Sequence, residues 1–394
     1  MEPEKNSTIA MAVTNDLSAD RRVLRHAATL RDEGYGVLTI GRDDLGVRSR
    51  RGWRFYAEYN WRLWRRLLHT ECDVIWANDT DTLPGAFMAA RMKRRKLVMD
   101  AHELFPEVPE IQHKPLVRWV WRTIERCLMP QCDAMLTVCQ SLADYYKEKY
   151  GVEMTVVRNI SLTPKSLTPQ PPLPEGEGRT GEATLLYQGC VNLGRGVDWA
   201  IDALEWLPGC RLMVAGRGDL LDAMKAYAAQ KPWADRVTFL GHVPPDQLGE
   251  LTLSCGVRSA GSRSAQAVGL VMLEDMGLSY HYALPNRIGD FVAAGVPMVV
   301  SDLPEMAAVV RRFGVGEVIG KSKMENGKMK EENGKMKEER EKWKMENGKM
   351  LAEAVKKVLA REWKDEDFAE ARKDMDWNKE KIKLLEVASR AVRG

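Results

Sequence analysis

The sequence has no long apolar run. Among its 394 residues, no stretch approaches the roughly 18 consecutive apolar residues that a membrane-spanning helix requires. Residues 1–8 are polar and carry two acids, and no apolar segment of signal-peptide length follows them, so we expect no signal peptide. If the protein works at a membrane, we expect it to lie on the surface.

Cysteine pairs of the zinc-binding type and a strong net charge are also lacking. The seven cysteines are odd in number and scattered, and no pair has the spacing of a zinc site. Scattered thiols are typical of a reducing cytoplasm, which is the compartment we predict. The net charge of +3 is too small to indicate nucleic-acid binding, whereas a hydrophobic content of 44% is ample for sizeable cores.

Two stretches of the chain alternate short apolar runs with helical patterns, and the length predicts two or three domains. The predicted strands are residues 8–13, 37–40, 73–77, 96–99 and 134–138 in the first stretch, and 183–187, 211–215, 237–240, 268–272 and 298–300 in the second. This alternation predicts two doubly wound α/β domains with parallel sheets.

Three segments interrupt the alternation. Residues 161–183 are rich in proline and repeat Ser-Leu-Thr-Pro, which predicts an extended linker or insertion. Residues 256–266 are small and polar, and indicate a loop insertion. Within 321–350 the sequence repeats every seven residues. Only one position of each repeat is apolar throughout and Asn-Gly disfavours a helix, so we expect a solvated, mobile insertion rather than a coiled coil.

The predicted organisation therefore has five parts. They are an N-terminal domain at 1–160, the linker at 161–183, a C-terminal domain at 184–320, the repeat insertion at 321–350, and C-terminal helices at 351–394, of which the last crosses back to the first domain.

The segment 284–305 carries the most specific pattern. Pro285 suits a helix entry, and Gly295 suits the helix end. A helix N-terminus with a cation at Arg287 and a carboxylate one turn on, at Asp290, fits a nucleotide-sugar. The diphosphate would lie at the helix dipole, and the carboxylate would bind sugar or ribose hydroxyls.

Glycines and cations also follow the first strands of the second domain. Gly194 and Arg195 follow its first strand, and Arg217 follows its second. Glycines let the backbone approach a phosphate, and a fixed cation neutralises it. The spacing is not Gly-x-Gly-x-x-Gly, and no acid ends the next strand, which argues against a dinucleotide-binding dehydrogenase.

Polar side chains follow strands of the first domain as well, where ligands bind in doubly wound sheets. Asp16, Asp20 and Arg21 follow its first strand and predict either an acceptor site or, for Asp20, a helix cap. His102 follows its fourth strand between two acids, one of them Glu103, which are placed to fix its tautomer.

These segments resemble the retaining glycosyltransferases of family 4, which have the GT-B fold. The family's donor segment typically reads Pro-Asn-Lys-x-x-Glu-Tyr-x-x-x-Gly-x-Pro; here Arg287 replaces Lys and Asp290 replaces Glu. The segment 15–23 matches a subset of the family after its first strand, where the family often has a glycine-rich loop instead, and the segment 100–105 matches the family's usual sequence after its fourth strand. The resemblance covers nearly the whole chain except the three interruptions, and it implies two Rossmann-like domains that face each other across a cleft.

The resemblance also implies an activity. It implies a retaining, metal-independent hexosyltransferase that moves a sugar from a UDP- or GDP-linked donor to a glycan or lipid-linked acceptor, in cell-surface polysaccharide or glycolipid synthesis. The implied residues are His102 and Asp290 for catalysis; Gly194, Arg195, Arg217, His242, Val243, Pro285, Asn286 and Arg287 for the donor; and Asp16, Asp20, Arg21 and Glu103 for the acceptor. No cofactor is expected. No metal is expected either, because Asp79-Thr-Asp81, which has the spelling of a metal-binding Asp-x-Asp motif, lies in the acceptor-side domain at 1–160 and not in the nucleotide-sugar-binding domain at 184–320.

Two other interpretations stay open. The family often carries an acid eight residues before the position of Asp290, and this chain has Tyr282 there. A scaffold that has lost catalysis would fit that departure, and a nucleotide-sugar epimerase of the same fold would fit the donor motifs. Sugar release separates a transferase from a scaffold, and exchange without an acceptor identifies an epimerase.

Basic and aromatic residues interleave between residues 48 and 66, on a predicted helix. This pattern suits an anionic membrane surface. It also suits a helix whose tryptophans face the core while its arginines stay in water. The sequence therefore predicts a cytoplasmic protein with a possible peripheral contact to the inner face of the membrane.

Overall fold

The computed structural model describes residues 7–15, 17, 20–49, 52–160, 183–255, 267–320 and 335–393, with the backbone alone at 245, 246 and 335–342. The chain forms two compact units. The first comprises Met1–Asn159 with Trp377–Gly394, and the second comprises Ile160–Asp376. The predicted insertion at 256–266 and nearly all of the predicted linker at 161–183 lie outside the described residues.

The first unit is built on a six-stranded parallel sheet. Its strands are β1 Thr8–Ala12, β2 Gly36–Ile40, β3 Val74–Asn78, β4 Lys96–Ala101, β5 Ala134–Thr137 and β6 Thr155–Val156, in the order β2-β1-β3-β4-β5-β6. The central strands are apolar and fully buried, as a parallel sheet covered on both faces requires.

Helices cover both faces of this sheet. They are α1 Arg21–Asp32, α2 Gly52–Leu68, α3 Leu83–Lys93, α4 Pro109–Gln112, α5 Pro115–Leu128, α6 Gln140–Tyr150 and the last helix, α15 Trp377–Arg393. The chain moves from β1 outward to β2 and then back across the sheet to β3, β4 and β5. Right-handed crossovers therefore place α1 on one face and α2, α3 and α5 on the other. The packing agrees, because α1 contacts α15 whereas α3 contacts both α2 and α5.

The helix α15 completes the first unit. Trp377 donates its indole N–H to the Thr29 hydroxyl at 3.2 Å and stacks on His26 with 5.8 Å between ring centroids. Glu380 is fully buried and accepts from the backbone N–H of Arg158 at 3.0 Å and from its guanidinium at 2.8 Å. These contacts tie the end of the chain to α1 and β6.

The second unit repeats the architecture. Its strands are β7 Ala183–Gln188, β8 Cys210–Ala215, β9 Val237–Gly241, β10 Ala267–Val271, β11 Met298–Ser301 and β12 Gly316–Ile319, all parallel in the order β12-β11-β10-β7-β8-β9. Its helices are α7 Val197–Ala203, α8 Leu221–Ala229, α9 Pro245–Ser254, α10 Leu278–His281, α11 Arg287–Ala294, α12 Pro304–Phe313, α13 Lys335–Ala360 and α14 Ala369–Asp374. The predicted pair of doubly wound parallel sheets is confirmed.

The helix α13 differs from the sequence prediction. It begins at Lys335, inside the segment expected to be a solvated insertion, and it packs along α7. Trp343 meets Trp199 edge to face at 5.4 Å, and Asn347 is almost fully buried. The prediction of a solvated segment up to residue 350 was therefore wrong for the last repeat, because tertiary packing outweighs the low helix propensity of Asn-Gly.

We expect Gly348→Ala to test this packing. In an exposed helix, alanine in place of glycine is worth up to about 1 kcal/mol of added stability. Here a Cβ at Gly348 would lie 2.9 Å from the Asp202 Cβ and 3.3 Å from the Ala203 amide nitrogen. We therefore expect a loss of about 1–3 kcal/mol in the free energy of unfolding, measured by denaturant titration. Glu346→Ala, at an exposed position two residues earlier, is the control and should change little. A stabilised Gly348→Ala variant would contradict the packing.

Candidate functional site

The loop after β3 in the first unit has a strained backbone. Asp79 adopts a left-handed conformation with φ of 64°, which costs a non-glycine residue roughly 1 kcal/mol or more. Two hydrogen bonds offset this cost. The Asp79 amide donates to the Asp100 carbonyl at 2.8 Å, and its Oδ1 accepts from the backbone N–H of His102 at 2.7 Å. The loops after β3 and β4 are thereby fixed to each other.

His102 lies between two carboxylates. Its Nδ1 is 3.1 Å from Oδ2 of Asp79, and its Nε2 is 3.5 Å from Oδ2 of Asp100. Burial alone lowers the pKa of His102, but the charges of Asp79 and Asp100 raise it well above its ordinary value. The two carboxylates therefore favour the imidazolium form of His102. The sequence placed Asp100 beside it; Asp79 is the partner that sequence reasoning did not name.

Asp100 is in turn held by α1. Arg22 donates to its two oxygens at 3.0 and 2.7 Å, and donates a further hydrogen bond to the Val157 carbonyl at 2.7 Å. His26 Nδ1 lies 3.3 Å from the same carboxylate. Burial and the neighbouring Arg22 lower the pKa of His26 to about 4, so this histidine is neutral where His102 is charged.

Asp81 is a second buried acid at this edge of the sheet. Its Oδ2 accepts from the Thr14 hydroxyl at 2.6 Å, whereas its Oδ1 is buried and has no hydrogen-bond partner among the described residues. Burial and then the charge of Asp79 raise the pKa of Asp81 to about 8. Asp81 is therefore mostly a neutral acid at neutral pH.

The predicted acceptor residues differ in their contacts and in their exposure. Asp20 caps α1, since its Oδ1 accepts from the Val23 amide at 3.1 Å, and Asn15 donates to its other oxygen at 3.3 Å. Asp20 is therefore a helix cap, and its predicted role in acceptor binding stays a prediction. Glu103 is exposed beyond β4, Arg21 is partly exposed at the start of α1, and Asp16 lies outside the described residues.

In the second unit, glycines let two loops pack backbone to backbone. A Cβ at Gly216, after β8, would lie 1.8 Å from the Gly189 carbonyl oxygen, after β7. Gly194 has a φ of 72°, and a Cβ there would lie 2.6 Å from the Met276 sulfur. Only glycine fits these positions, so the loops after β7 and β8 form one compact backbone surface at the strand ends.

Two guanidinium groups lie beside this surface. Arg287 is 6% exposed, donates to the Gln188 carbonyl and lies 4.8 Å from the centroid of the Tyr187 ring. Arg195 lies 4.7 Å from the centroid of the Tyr280 ring. Burial lowers the pKa of Arg195, but Tyr280 and Tyr187 raise it. Sequence reasoning proposed the two arginines and did not foresee the rings beneath them.

No carboxylate among the described residues pairs with Arg195 or Arg287. Nε of Arg195 and Nε of Arg287 are buried without a hydrogen-bond partner, and within the described residues neither side chain forms an ion pair. Buried like charges without a carboxylate are costly. An anion with several oxygens would complete this site.

The other predicted donor residues lie in loops of the second unit or at the start of α11, and all are at least partly exposed. Arg217 and His242 are exposed after β8 and β9, and Val243 is partly buried. Asn286 stands at the N-cap of α11 without a side-chain capping bond, Pro285 precedes it, and Asp290 lies partly exposed in the first turn. Within the described residues no group of three or more His, Cys, Asp or Glu side chains could hold a metal, and no helix is long and apolar enough to cross a membrane.

Known protein families match both units. The model described as Glycosyltransferase Family 4 matches residues 20–160, and the model described as Glycosyl transferases group 1 matches residues 173–280. Each unit is therefore similar to a glycosyltransferase family model, the first unit to one model and the second to the other. A glycogen synthase of Mycobacterium tuberculosis is 29% identical over 200 residues, which are 48% of this chain and 47% of that protein. The chain thus spans about half the length of the curated relatives it matches.

Solved glycosyltransferase-like structures share the fold. Sucrose-phosphate synthase from Thermosynechococcus elongatus has a TM-score of 0.62 at 12% identity, covering 97% of this chain and 98% of that one. HepE of Anabaena, solved with UDP and glucose, has a TM-score of 0.65 at 13% identity, covering 97% and 99%. Identities this low show the fold alone, and they confirm the predicted GT-B fold class.

The buried acid Asp81 predicts a pH dependence of stability. Its folded pKa of about 8 lies above its unfolded value, so the folded state binds the extra proton between these limits. Protonation of Asp81 therefore stabilises the folded state. This stabilisation falls progressively as the pH rises from the unfolded pKa, and it is lost once the pH has passed about 8. Asp81→Asn mimics the neutral acid. We expect its stability relative to the parent protein to rise between pH 5 and 9, by on the order of 1–3 kcal/mol.

Denaturant melts of both proteins at several pH values measure this difference. Asp302→Asn is the control, since Asp302 pairs with Arg311 on an exposed helix end and should show no such trend. A parallel pH dependence of Asp81→Asn and the parent protein would contradict a buried neutral Asp81.

Proposed function

We propose that this protein is a retaining glycosyltransferase that moves a sugar from a UDP- or GDP-linked donor to a glycan or lipid-linked acceptor. The observation that carries the proposal is the pair of cations at Arg195 and Arg287. They lie at the ends of parallel strands beside a backbone surface built on glycines, and neither forms an ion pair with a carboxylate that the structure describes. A nucleotide diphosphate supplies several oxygens for such a pair.

The donor would be held by charge rather than by a metal. In this proposal Arg195, Arg287 and the N-terminus of α11 neutralise the diphosphate, and Gly194 allows its close approach. Arg217, His242, Val243, Pro285 and Asn286 line the remainder of the donor site. Asp290, one turn inside α11, would accept from a sugar hydroxyl.

The transfer step would break the bond between the sugar anomeric carbon and the donor phosphate oxygen. The acceptor hydroxyl oxygen forms the new bond on the same face, and its proton passes to the departing phosphate. Because Asp79 and Asp100 favour the imidazolium form of His102, this side chain would not remove that proton. Its proposed role is to present its backbone carbonyl or ring to the transferred sugar, beside an acceptor held by Asp16, Asp20, Arg21 and Glu103.

The proposed setting is the cytoplasm, at the inner face of the membrane, in cell-surface polysaccharide or glycolipid synthesis. Two exposed tryptophans of α2, Trp53 and Trp61, support a membrane contact through residues 48–66. HepE of Anabaena was solved with UDP and glucose, which makes UDP-glucose the first donor to try.

We expect a nucleotide-sugar to raise the melting temperature of the protein. Saturation at a hundred times the dissociation constant adds about 2.7 kcal/mol of stability, or a few degrees in melting temperature. Titration with UDP-, GDP- and ADP-sugars should give a selective shift. Arg195→Ala and Arg287→Ala should each abolish most of it, because each leaves one phosphate charge uncompensated.

Arg311→Ala is the matched control, since Arg311 is exposed and pairs only with Asp302 at the surface. It should keep the full shift. If no nucleotide-sugar shifts the melting temperature, or if Arg311→Ala loses as much as Arg195→Ala, the donor site is wrong and the scaffold interpretation gains.

We expect His102→Ala to separate chemistry from binding. The shift by the donor should persist, because His102 lies outside the unit that carries the arginines, while release of free nucleotide with acceptor present should fall at least about a hundredfold. Sugar exchange without any acceptor in the parent protein would favour the epimerase instead.

A further inference from the structure

One helical layer of the first unit carries a concentration of exposed apolar side chains. The layer consists of α2, α3 and α5, which pack side by side on the same face of the sheet. Each helix contributes large exposed apolar residues: Trp53 and Trp61 on α2, Met88 and Met92 on α3, and Leu116, Val117, Trp119 and Val120 on α5. By contrast, the helices on the other face expose one such residue each, Leu24 on α1 and Ile382 on α15.

The helix α5 shows the pattern most clearly. Leu116, Trp119 and Val120 follow one another at helical spacing, and Leu116 and Trp119 are 66% and 65% exposed. The opposite side of α5 packs within the first unit, where the ring of Trp121 contacts that of Tyr56 in α2 with 5.0 Å between centroids. This contact joins α5 to α2, so the outward residues of the two helices belong to one surface.

The same layer is strongly basic. The helix α2 carries four arginines, α3 an arginine and a lysine, and α5 three arginines, and the acids in these helices are Glu58 and Glu125. Glu58 is bound by Arg62 at 2.8 Å, and Glu125 is fully buried. The acids therefore leave the outer charge of the layer positive.

The arginines and the aromatic rings of this surface are interleaved. The Arg54 guanidinium lies 5.6 Å from the Trp53 ring centroid, and the Arg65 guanidinium lies 4.9 Å from that of Trp61. Within the described part of the chain, Arg54, Arg65 and Arg66 form no ion pair with a carboxylate. Arg118 and Arg122, which bind Glu107, do not add to this outer charge.

We propose that the outer surface of α2, α3 and α5 binds the anionic surface of a lipid bilayer, with Trp53, Trp119 and Leu116 entering the interface. Tryptophan is favoured at the level of lipid headgroups, and unpaired arginines are attracted by anionic headgroups. Aliphatic side chains beside them gain from burial among the acyl chains. The surface extends the contact proposed for residues 48–66 to two further helices.

Charge complementarity favours a bilayer over a second copy of this chain. A symmetric dimer through this layer would bring its unpaired arginines against the same arginines of the partner, with Glu58 already bound within its own chain. A bilayer instead offers a broad sheet of negative charge over an apolar interior, which matches apolar and basic residues spread over three helices.

Vesicle co-sedimentation tests the proposal on the full chain. We expect binding to vesicles of phosphatidylcholine with about one third phosphatidylglycerol, no binding to phosphatidylcholine alone, and weakening at high salt. Trp53→Ser with Trp119→Ser, and Met92→Ser with Leu116→Ser, should each weaken binding about tenfold or more. Arg54→Gln with Arg65→Gln should weaken it by a similar factor at low salt.

The opposite face of the same sheet provides the controls. Leu24→Ser with Ile382→Ser removes exposed apolar residues from α1 and α15, and Lys379→Gln with Arg390→Gln removes exposed cations from α15. Both should bind vesicles as the parent protein does. All variants change exposed side chains and should keep the parent melting temperature.

Three outcomes would overturn the proposal. They are no binding to anionic vesicles at low salt, equal losses in the opposite-face controls, and concentration-dependent dimerisation in light scattering that the Trp53→Ser, Trp119→Ser variant abolishes while vesicles are not bound. The readout is lipid binding, so its failure leaves the donor site untouched, just as a failed donor titration leaves this surface untouched.

Discussion

A single buried carboxylate, Asp100, organises the strand ends of the first unit. Burying an unpaired carboxylate costs several kcal/mol, and here two cationic partners offset the cost. Arg22 reaches it from α1 with two hydrogen bonds and anchors itself on the Val157 carbonyl, while His102 faces it from the following loop. Burial alone raises its pKa, but Arg22 and His102 hold the pKa of Asp100 well below its ordinary value. The position and charge of His102 depend on this anion and on the strained Asp79 that completes its surroundings.

In the second unit, by contrast, two largely buried charges are not paired within the described residues. Arg195 and Arg287 rest on aromatic rings and a backbone carbonyl, and no acid among the described residues neutralises them. A charge that is paired within the protein contributes to folding, whereas a charge left unpaired lowers stability and becomes available to a ligand. The first unit therefore uses its ionic network to hold a histidine in one state. The second keeps its cations for an anion that arrives from outside.

The sequence predicted the strands closely and the site contacts only in part. Apolar runs placed ten of the twelve observed strands within a residue or two, since a parallel sheet buried on both faces leaves a strong local pattern, whereas the short edge strands β6 and β12 were not predicted. Glycines after β7 and cations at Arg195 and Arg287 were also readable, because phosphate-binding loops have local composition rules. The pairing of Asp79 with His102 was not, since it joins two loops distant in sequence through a left-handed residue. The helix around Gly348 was missed because its stability comes from packing against α7 rather than from propensity.

The helix α2 shows how structure separates residues that composition treats alike. Residues 48–66 contain seven arginines and three tryptophans, and the pattern alone fitted both a membrane contact and a core-facing helix. Packing divides the set: Tyr59 and Leu63 turn into the core, while Trp53 and Trp61 stay in water beneath arginines. An exposed tryptophan contributes little burial energy to folding. Other tryptophans of this chain, such as Trp76 and Trp199, are fully buried in its cores. Trp53 and Trp61 are instead exposed on a helical layer in which Arg54, Arg65 and Arg66 form no ion pair within the described residues, and this combination supports the proposed contact with a surface that is both apolar and anionic.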